Sequence, residues 1–587
     1  MPPARLLLEL LGAGAMAIVL LASGARVRRL LSLPLPPSLR LPVDFFMGSW
    51  LLGVCALMIG LAHLWTGAVL GGLVATLATV GRYRGVGWRW QSALAAGIAG
   101  LVVLPVALAP PFFYDALVYH LGLPWQALQE GGLFRHPEDL FAAFPPLAQL
   151  NYAPFLAIGL EKAPALLHWT GFVVAGAALW ALGRTLGAPR WAASLGAGCL
   201  PLLPADVLVP ALPAAESWGV GCIVAALAVI VRPRMTSHAA ALAGFLAGVA
   251  ASARLQGLAW SAIVVLCLIV RGVSPRGLIA AVAGWLAGCA PWWMKNLVLL
   301  GDPTAPLGWN REGVQTLWRD AGSVMHMAAD AGSILRTTVI ALAPHVSYLG
   351  LVLLASVFAT VVRAQRRDRI VALAALAGLG AWALTGNLPR FLTCAVAVLL
   401  AMTAAAAGRS PAGRWVAILA LAPTAALGLV DSAVQVQRLG GIGLIGESAA
   451  SLRGRLSVND PRPAFIAART LAQRSRVLFV GEPRGFGFPR DFLAPSQHDV
   501  SPLRALLEDN PSPADAAKRL MDRGYTHLLI NWGELGRLVR GYPVAPWRDT
   551  VGLARWRAFL HQLGPPVIAS GAVEVFSLDG RVSSGLP

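Results

Sequence analysis

The chain is short of charge. Of its 587 residues only 13% are Asp, Glu, Lys or Arg, about half the share usual in a soluble globular protein. That scarcity excludes a purely soluble enzyme. Cysteine is scarce too: Cys55, Cys199, Cys222, Cys267, Cys289 and Cys394 are the only six, and all lie in apolar stretches. They read as small buried hydrophobes, and none has the spacing of a metal or redox site. No periodic repeat marks either half of the chain, which counts against solenoids and against transporters built from repeated halves. Acids are the rarer charge, 28 against 47 bases. A net charge of +19 would suggest nucleic acid in a soluble protein, so the position of that charge has to be settled first.

What the chain has in plenty is apolar sequence, 57% of its residues with a mean hydropathy of +0.66. The charge is unevenly spread. Residues 1–432 hold 43 charged residues and residues 433–587 hold 32, about one in ten against one in five. We therefore expect two domains: a polytopic membrane region, 1–432, and an α/β domain on the outer face, 433–587. Spans of about 20 apolar residues, or fewer where a helix is buried among others, are expected at 6–24, 44–62, 64–80, 92–109, 164–183, 191–208 and 214–231. Seven more follow at 239–253, 255–270, 277–293, 337–362, 370–386, 391–407 and 415–432, about fourteen in all.

The positive-inside rule sets the orientation. Alternate connections collect 19 basic residues, from Arg26, Arg28 and Arg29 to Arg409 and Arg414, with only two acids, Asp44 and Asp368. The rest of the first 432 residues holds 9 basic and 13 acidic ones. The arginine-rich connections are thus cytoplasmic, and basicity reports topology instead of nucleic acid. The loops 110–163 and 294–336 and the tail fall on the outer face. Ala22-Ser23-Gly24-Ala25 offers small residues for signal cleavage, but the basic cluster follows the apolar stretch where a signal peptide has it in front. A retained span is expected.

In the tail, helices are expected at 463–472, 513–523 and 547–563, strands at 476–481 and 527–532, and a closing hairpin at 567–569 and 573–578, a small α/β sandwich. Gly481, Gly485 and Gly487 follow a strand. Their spacing is not G-x-G-x-x-G, and Pro483 and Pro489 interrupt the helix that a phosphate loop would need, so a turn is expected there.

The first outer loop carries the clearest chemistry. It leaves the span 92–109 through Pro110 and Pro111 and places Asp115 after Phe112, Phe113 and Tyr114. An Asp there suits a helix cap; it also suits a general base whose pKa is raised by apolar surroundings. The string Asp115-Ala116-Leu117-Val118-Tyr119-His120-Leu121, followed by Pro124, Gly131 and Pro145, resembles the first outer loop of bacterial GT-C glycosyltransferases, the polytopic enzymes related to family 39 and the aminoarabinose transferases. Three further segments agree in order. They are Ala253-Arg254-Leu255-Gln256-Gly257-Leu258; Pro291-Trp292-Trp293-Met294-Lys295-Asn296 with Gly301-Asp302-Pro303 and Pro306; and Leu388-Pro389-Arg390-Phe391. The chain departs from the family at Trp125, where relatives often have Lys, and at Arg254 and Lys295, each the other basic type.

The resemblance, over roughly residues 92–407, implies a mainly α GT-C membrane bundle with a small outer α/β tail. It implies transfer of a sugar from a polyprenyl phosphate to a glycan, lipid or protein acceptor of the cell envelope, with inversion, at a bacterial inner (plasma) membrane. Asp115 is then the expected base, and Glu216 a second, acceptor-positioning carboxylate. Tyr119, His120, Arg254, Lys295, Asn296 and Arg390 are expected substrate contacts, the cations among them facing the departing phosphate. Arg311 is a weaker outer cation, and Trp292 and Trp293 either stack on a sugar or anchor at the interface. His120, His136, Glu138 and Asp139 have no spacing that compels a metal, so no metal and no cofactor is expected. The alternative reading is a transporter or flippase of lipid-linked sugars. The gathering of polar residues at outer helix ends, instead of at broken helices near the midplane, favours the enzyme.

Overall fold

A computed structural model of the chain describes residues 3–80, 87–203, 208–312, 314–316, 352, 355–356, 358, 365–385, 389–509 and 512–579. It is a multi-pass helical bundle carrying a small mixed sheet. Among the described residues five helices are long and apolar enough to cross a membrane: Ala4–Leu30, Pro37–Leu61, Ala163–Thr185, Pro275–Leu300 and Pro411–Leu439. Six further apolar helices are shorter, among them Glu216–Ile230, Ser237–Ala253 and Gln256–Val270. The described residues do not confirm the expected count of about fourteen spans. The expected span 191–208 ends as a helix at Cys199 and passes into a single 3-10 turn, Leu200–Leu202, because Pro201 cannot continue the backbone ladder. Most of the expected span 337–362 lies outside the described residues.

Close packing in the bundle is bought with small residues, as in membrane helix pairs generally. Helix Ser237–Ala253 crosses helix Pro275–Leu300 through Gly244, Gly248, Gly284 and Gly288; a Cβ at any of the four would come within 2.3 Å of a backbone oxygen on the facing helix. The two acids on the basic side are neutralised locally. Asp44 accepts from Arg28 Nε at 2.6 Å and from Trp88 Nε1 at 2.8 Å, and Asp368 accepts from Arg409 at 2.5 Å.

The tail sheet has five strands, β1 (Arg476–Val480), β2 (Asp491–Leu493), β3 (His527–Asn531), β4 (Ile568–Ser570) and β5 (Val573–Ser577), in the order β2-β1-β3-β5-β4. The first three are parallel and the last two close the edge antiparallel. Alternation sends Leu478, Val480, Leu528 and Ile530 to one face, under helices Pro502–Asp509, Pro513–Asp522 and Thr550–Leu563. Val477, Phe479 and Leu529 go to the other face, packed with Phe465, Phe488 and Phe492 and with Trp125 of the first outer loop. The expected helices and strands are present within a few residues. Four short elements were not expected: β2 and the helices Ala449–Leu456, Pro502–Asp509 and Trp532–Leu538. The Gly481 turn is a turn, with Gly481 at φ +67° and Gly487 at φ +89°.

Candidate active site

Four elements meet at one end of the bundle. After Pro110 and Pro111, Asp115 opens a single π-helical turn, Ala116–His120, a local irregularity frequent at functional sites. Its carboxylate makes no capping hydrogen bond. It accepts instead from Arg390 Nη2 at 2.7 Å and from the Tyr119 hydroxyl, one turn on, at 3.3 Å. Arg390 rides on a short 3-10 turn, Pro389–Leu392. Arg254 is the C-cap of helix Ser237–Ala253, extended at φ −154° and ψ 148°, so its side chain leaves the helix axis. Glu216 starts helix Glu216–Ile230 and pairs with Arg254 Nη1. Its other oxygen accepts from the Ala215 amide at 3.0 Å.

Arg390 links the two halves, since its Nε lies 4.0 Å from Glu216 while its Nη2 holds Asp115. Two carboxylates and two guanidiniums thus balance to zero. The Asp115, Arg390 and Arg254 side chains keep 21%, 18% and 16% of their exposure, whereas Glu216 keeps 5%. Aromatic faces support the cations: Arg254 lies 4.8 Å from the Phe391 ring centroid, and Arg390 lies 5.4 Å from Phe391 and 5.6 Å from Phe113. Beside them opens a cleft of about 370 Å³ lined by Glu216, Arg254, Gln256, Trp260, Arg390 and Phe391, among others. Such a cleft offers an anion two guanidiniums and an apolar wall.

Five of the expected residues, Asp115, Glu216, Tyr119, Arg254 and Arg390, are joined in this network. The His120 ring lies 4.3 Å from that of Tyr119, tilted by 46°; burial pushes its pKa down to about 3, so the ring is neutral. Glu216, expected as a second, acceptor-positioning carboxylate, contacts Arg254 and the Ala215 amide. Asp115 likewise meets an arginine where an apolar setting was expected.

Lys295 and Asn296 lie elsewhere. The helix expected to end at 293 runs on to Leu300 through the apolar Leu297-Val298-Leu299-Leu300 and stops at Gly301, φ +75°. Both residues are therefore buried in its last turns and not in an outer loop. Lys295 Nζ donates to the carbonyls of Ala142 and Phe144, and Asn296 Nδ2 to those of Ala143 and Ala305. Trp292 Nε1 also donates to Ala143, at 2.9 Å. The three side chains pin the 3-10 turn Leu140–Ala143. Lys295 lines a second cavity, about 550 Å³, which shares no lining residue with the arginine cleft. Arg311 is also taken, by Asp499 at 3.1 Å and the Pro137 carbonyl at 2.5 Å.

Gln256, which accepts from Arg254 Nε at 3.0 Å, and the aromatic support Phe391 were given no role in the sequence reading, although both lie inside the quoted segments. Among the described residues no group of three or more His, Cys, Asp or Glu is placed to hold a metal ion.

In overall course the structure is similar to ArnT from Cupriavidus metallidurans bound to undecaprenyl phosphate, with a TM-score of 0.52 at 16% identity over 84% of this chain and 98% of that one. The chain has the GT-C fold. Weaker likenesses are to the Archaeoglobus fulgidus oligosaccharyltransferase in complex with Zn and sulfate, at 0.47 and 14% identity over 76% of this chain and 69% of that one, and to the arabinofuranosyltransferase AftD from Mycobacteria, at 0.43 and 16% identity over 84% and 41%. No protein-family model and no curated protein matches the chain.

Proposed function

We propose that this protein is a glycosyltransferase of the bacterial inner membrane, taking its sugar from a polyprenyl-phosphate donor on the outer face. The observation that carries the reading is the Asp115–Arg390–Glu216–Arg254 constellation beside the cleft, in a fold shared with an undecaprenyl-phosphate-bound transferase. The division into a bundle, residues 1–432, and an outer α/β domain, 433–587, belongs to the same proposal. The alternation of arginine-rich connections supports the outward orientation.

The donor is a phosphodiester. The acceptor hydroxyl or amine, of an envelope glycan, lipid or protein, attacks the anomeric carbon while Asp115 takes its proton. The bond from that carbon to the phosphate oxygen breaks with its electron pair, and polyprenyl phosphate departs carrying one more negative charge. Arg254 and Arg390 face that developing charge across a partly dry cleft, where preorganised cations are most effective. Attack from the face opposite the leaving group inverts the anomeric centre. Phosphate entry also gives Arg390 a second anion to hold, which loosens its grip on Asp115 and frees the base only when donor is present. Glu216 keeps Arg254 aimed, and Tyr119 orients the Asp115 carboxylate.

The test of the donor half is binding of undecaprenyl phosphate to the purified protein. Wild type binds it saturably, and Arg254→Ala and Arg390→Ala each weaken binding at least tenfold. Equal affinity for undecaprenol, which has no phosphate, would remove the arginines from the donor site.

A further inference from the structure

The tail grips the first outer loop on both sides of Asp115. Arg453 Nε donates to the Pro111 carbonyl at 2.7 Å, and the Phe486 amide donates to the Leu117 carbonyl at 3.2 Å. Trp125 Nε1 donates to the Phe488 carbonyl at 2.8 Å and its ring meets Phe486 edge-on. The deepest contact is made by Tyr114, the residue next to Asp115. Two guanidiniums lie near its ring centroid, Arg484 at 5.4 Å and Arg537 at 5.5 Å, and its hydroxyl donates to Glu534 at 2.9 Å.

The place of this contact in the tail is telling. Arg484 follows β1, and Asn531 and Glu534 sit at and after the end of β3, so the socket lies at the carboxyl ends of two adjacent parallel strands. Open α/β sheets take their ligands there. Here the position is filled by a side chain from the bundle.

The socket is complete without Tyr114. Arg484 spends its donors on both Glu482 oxygens, Ser457 Oγ and the carbonyls of Val458 and Asn459, all within the tail. Glu534 is held by Arg537 through two hydrogen bonds and by the Asn531 cap. Burial would raise the Glu534 carboxyl, yet Arg537 and Arg484 keep it below its ordinary range, so it is an ionised acceptor for the phenol. The tail does not need the tyrosine for its own polar accounting. What the contact fixes is the loop.

We propose that Tyr114, held against Arg484, Arg537 and Glu534 of the tail, is a positioning residue that sets where the Asp115 carboxylate stands, so that the tail is a working part of the active site. The proposal rests on Asp115 as base. A carboxylate displaced by an ångström loses about a hundredfold in rate, and Asp115 is the residue next to Tyr114 at the start of the π turn, so a shift of the tyrosine moves its backbone.

The test uses the full-length protein with Tyr114→Ala, Tyr114→Phe and the partly exposed Arg537→Ala, and it has two readouts. Amide exchange of residues 111–122 needs no substrate: Tyr114→Ala speeds it at least tenfold, Tyr114→Phe less. The second is release of polyprenyl phosphate from a panel of undecaprenyl-phosphate hexoses and pentoses. Tyr114→Ala lowers kcat at least tenfold while binding of undecaprenyl phosphate stays within twofold, and the same change costs under threefold in an Asp115→Glu background, where the carboxylate is already misplaced. Wild-type exchange and kcat in Tyr114→Ala would overturn the clamp, as would equal losses in both backgrounds, which mark a general structural role. If Asp115→Asn keeps full activity, the reading of the base fails, and exchange alone then decides whether the tail holds the loop.

Discussion

Replacing Arg390 by alanine removes, among the described residues, the one side chain that reaches both Asp115 and Glu216. Asp115 loses a charge-assisted hydrogen bond of 2.7 Å, Glu216 loses a cation at 4.0 Å, and the cleft loses one of its two guanidiniums. A hydrogen bond to a charged group contributes about 1.5–3 kcal/mol, and removing one donor aimed at developing negative charge costs about 10²–10³ in rate. We therefore expect kcat/KM for the accepted donor to fall by about 10²–10³ in Arg390→Ala. Arg390→Lys restores the charge but not the planar fork that spans Asp115 and Glu216, so it recovers about tenfold at most. The assay is the initial rate of polyprenyl phosphate release at several donor concentrations, with thermal melting of each variant as a control on folding. Arg390→Ala within threefold of wild type would refute the assignment of this cation, and Arg390→Lys equal to wild type would refute the argument from its geometry.

Three other outcomes follow from the same structure. Glu216→Gln removes the charge that aims Arg254; we expect kcat/KM to drop at least tenfold while dependence on acceptor concentration is unchanged, whereas an effect on acceptor KM alone would return Glu216 to acceptor binding. Lys295→Met strips two donors from the turn at 140–144, and the prediction is a lowered apparent melting temperature with undecaprenyl phosphate binding within twofold of wild type. Burial, reinforced by the nearby Asp499 carboxylate, pushes the Asp139 pKa up to about 7; a group raised in the folded state gives up stability as pH rises from its ordinary value towards 7. Asp139→Asn, which keeps the acceptor for the Phe141 amide, should melt above wild type at pH 8 with the difference closing towards pH 4, and a gap that does not change with pH would contradict it.

The helical bundle was legible because bilayer thickness leaves a direct mark on a sequence. Span length was less so: Pro201 cuts one expected helix short, and Leu297–Leu300 carries another past its expected end, taking Lys295 and Asn296 out of the loop in which they were expected. Within the site, Asp115, Tyr119, Arg254 and Arg390 stood out as polar residues at helix ends expected on the outer face. That Arg390 would bridge to Glu216 did not, because the pairing joins residues 174 positions apart, and nothing local encodes it. The same reason hid the tail contacts: Tyr114 meets Glu534 across 420 positions, and the local pattern around Arg484 reads only as a turn.

The measurement that bears most directly on the central claim is release of free polyprenyl phosphate from a panel of polyprenyl-phosphate sugars by wild type and Asp115→Asn, with and without envelope acceptors. The account predicts release by wild type that depends on acceptor and falls at least 10³-fold in Asp115→Asn, the upper end of what general base catalysis supplies being about 10⁴. Undiminished release by Asp115→Asn would contradict the base, and no release with any donor from well-folded wild type would contradict the transferase.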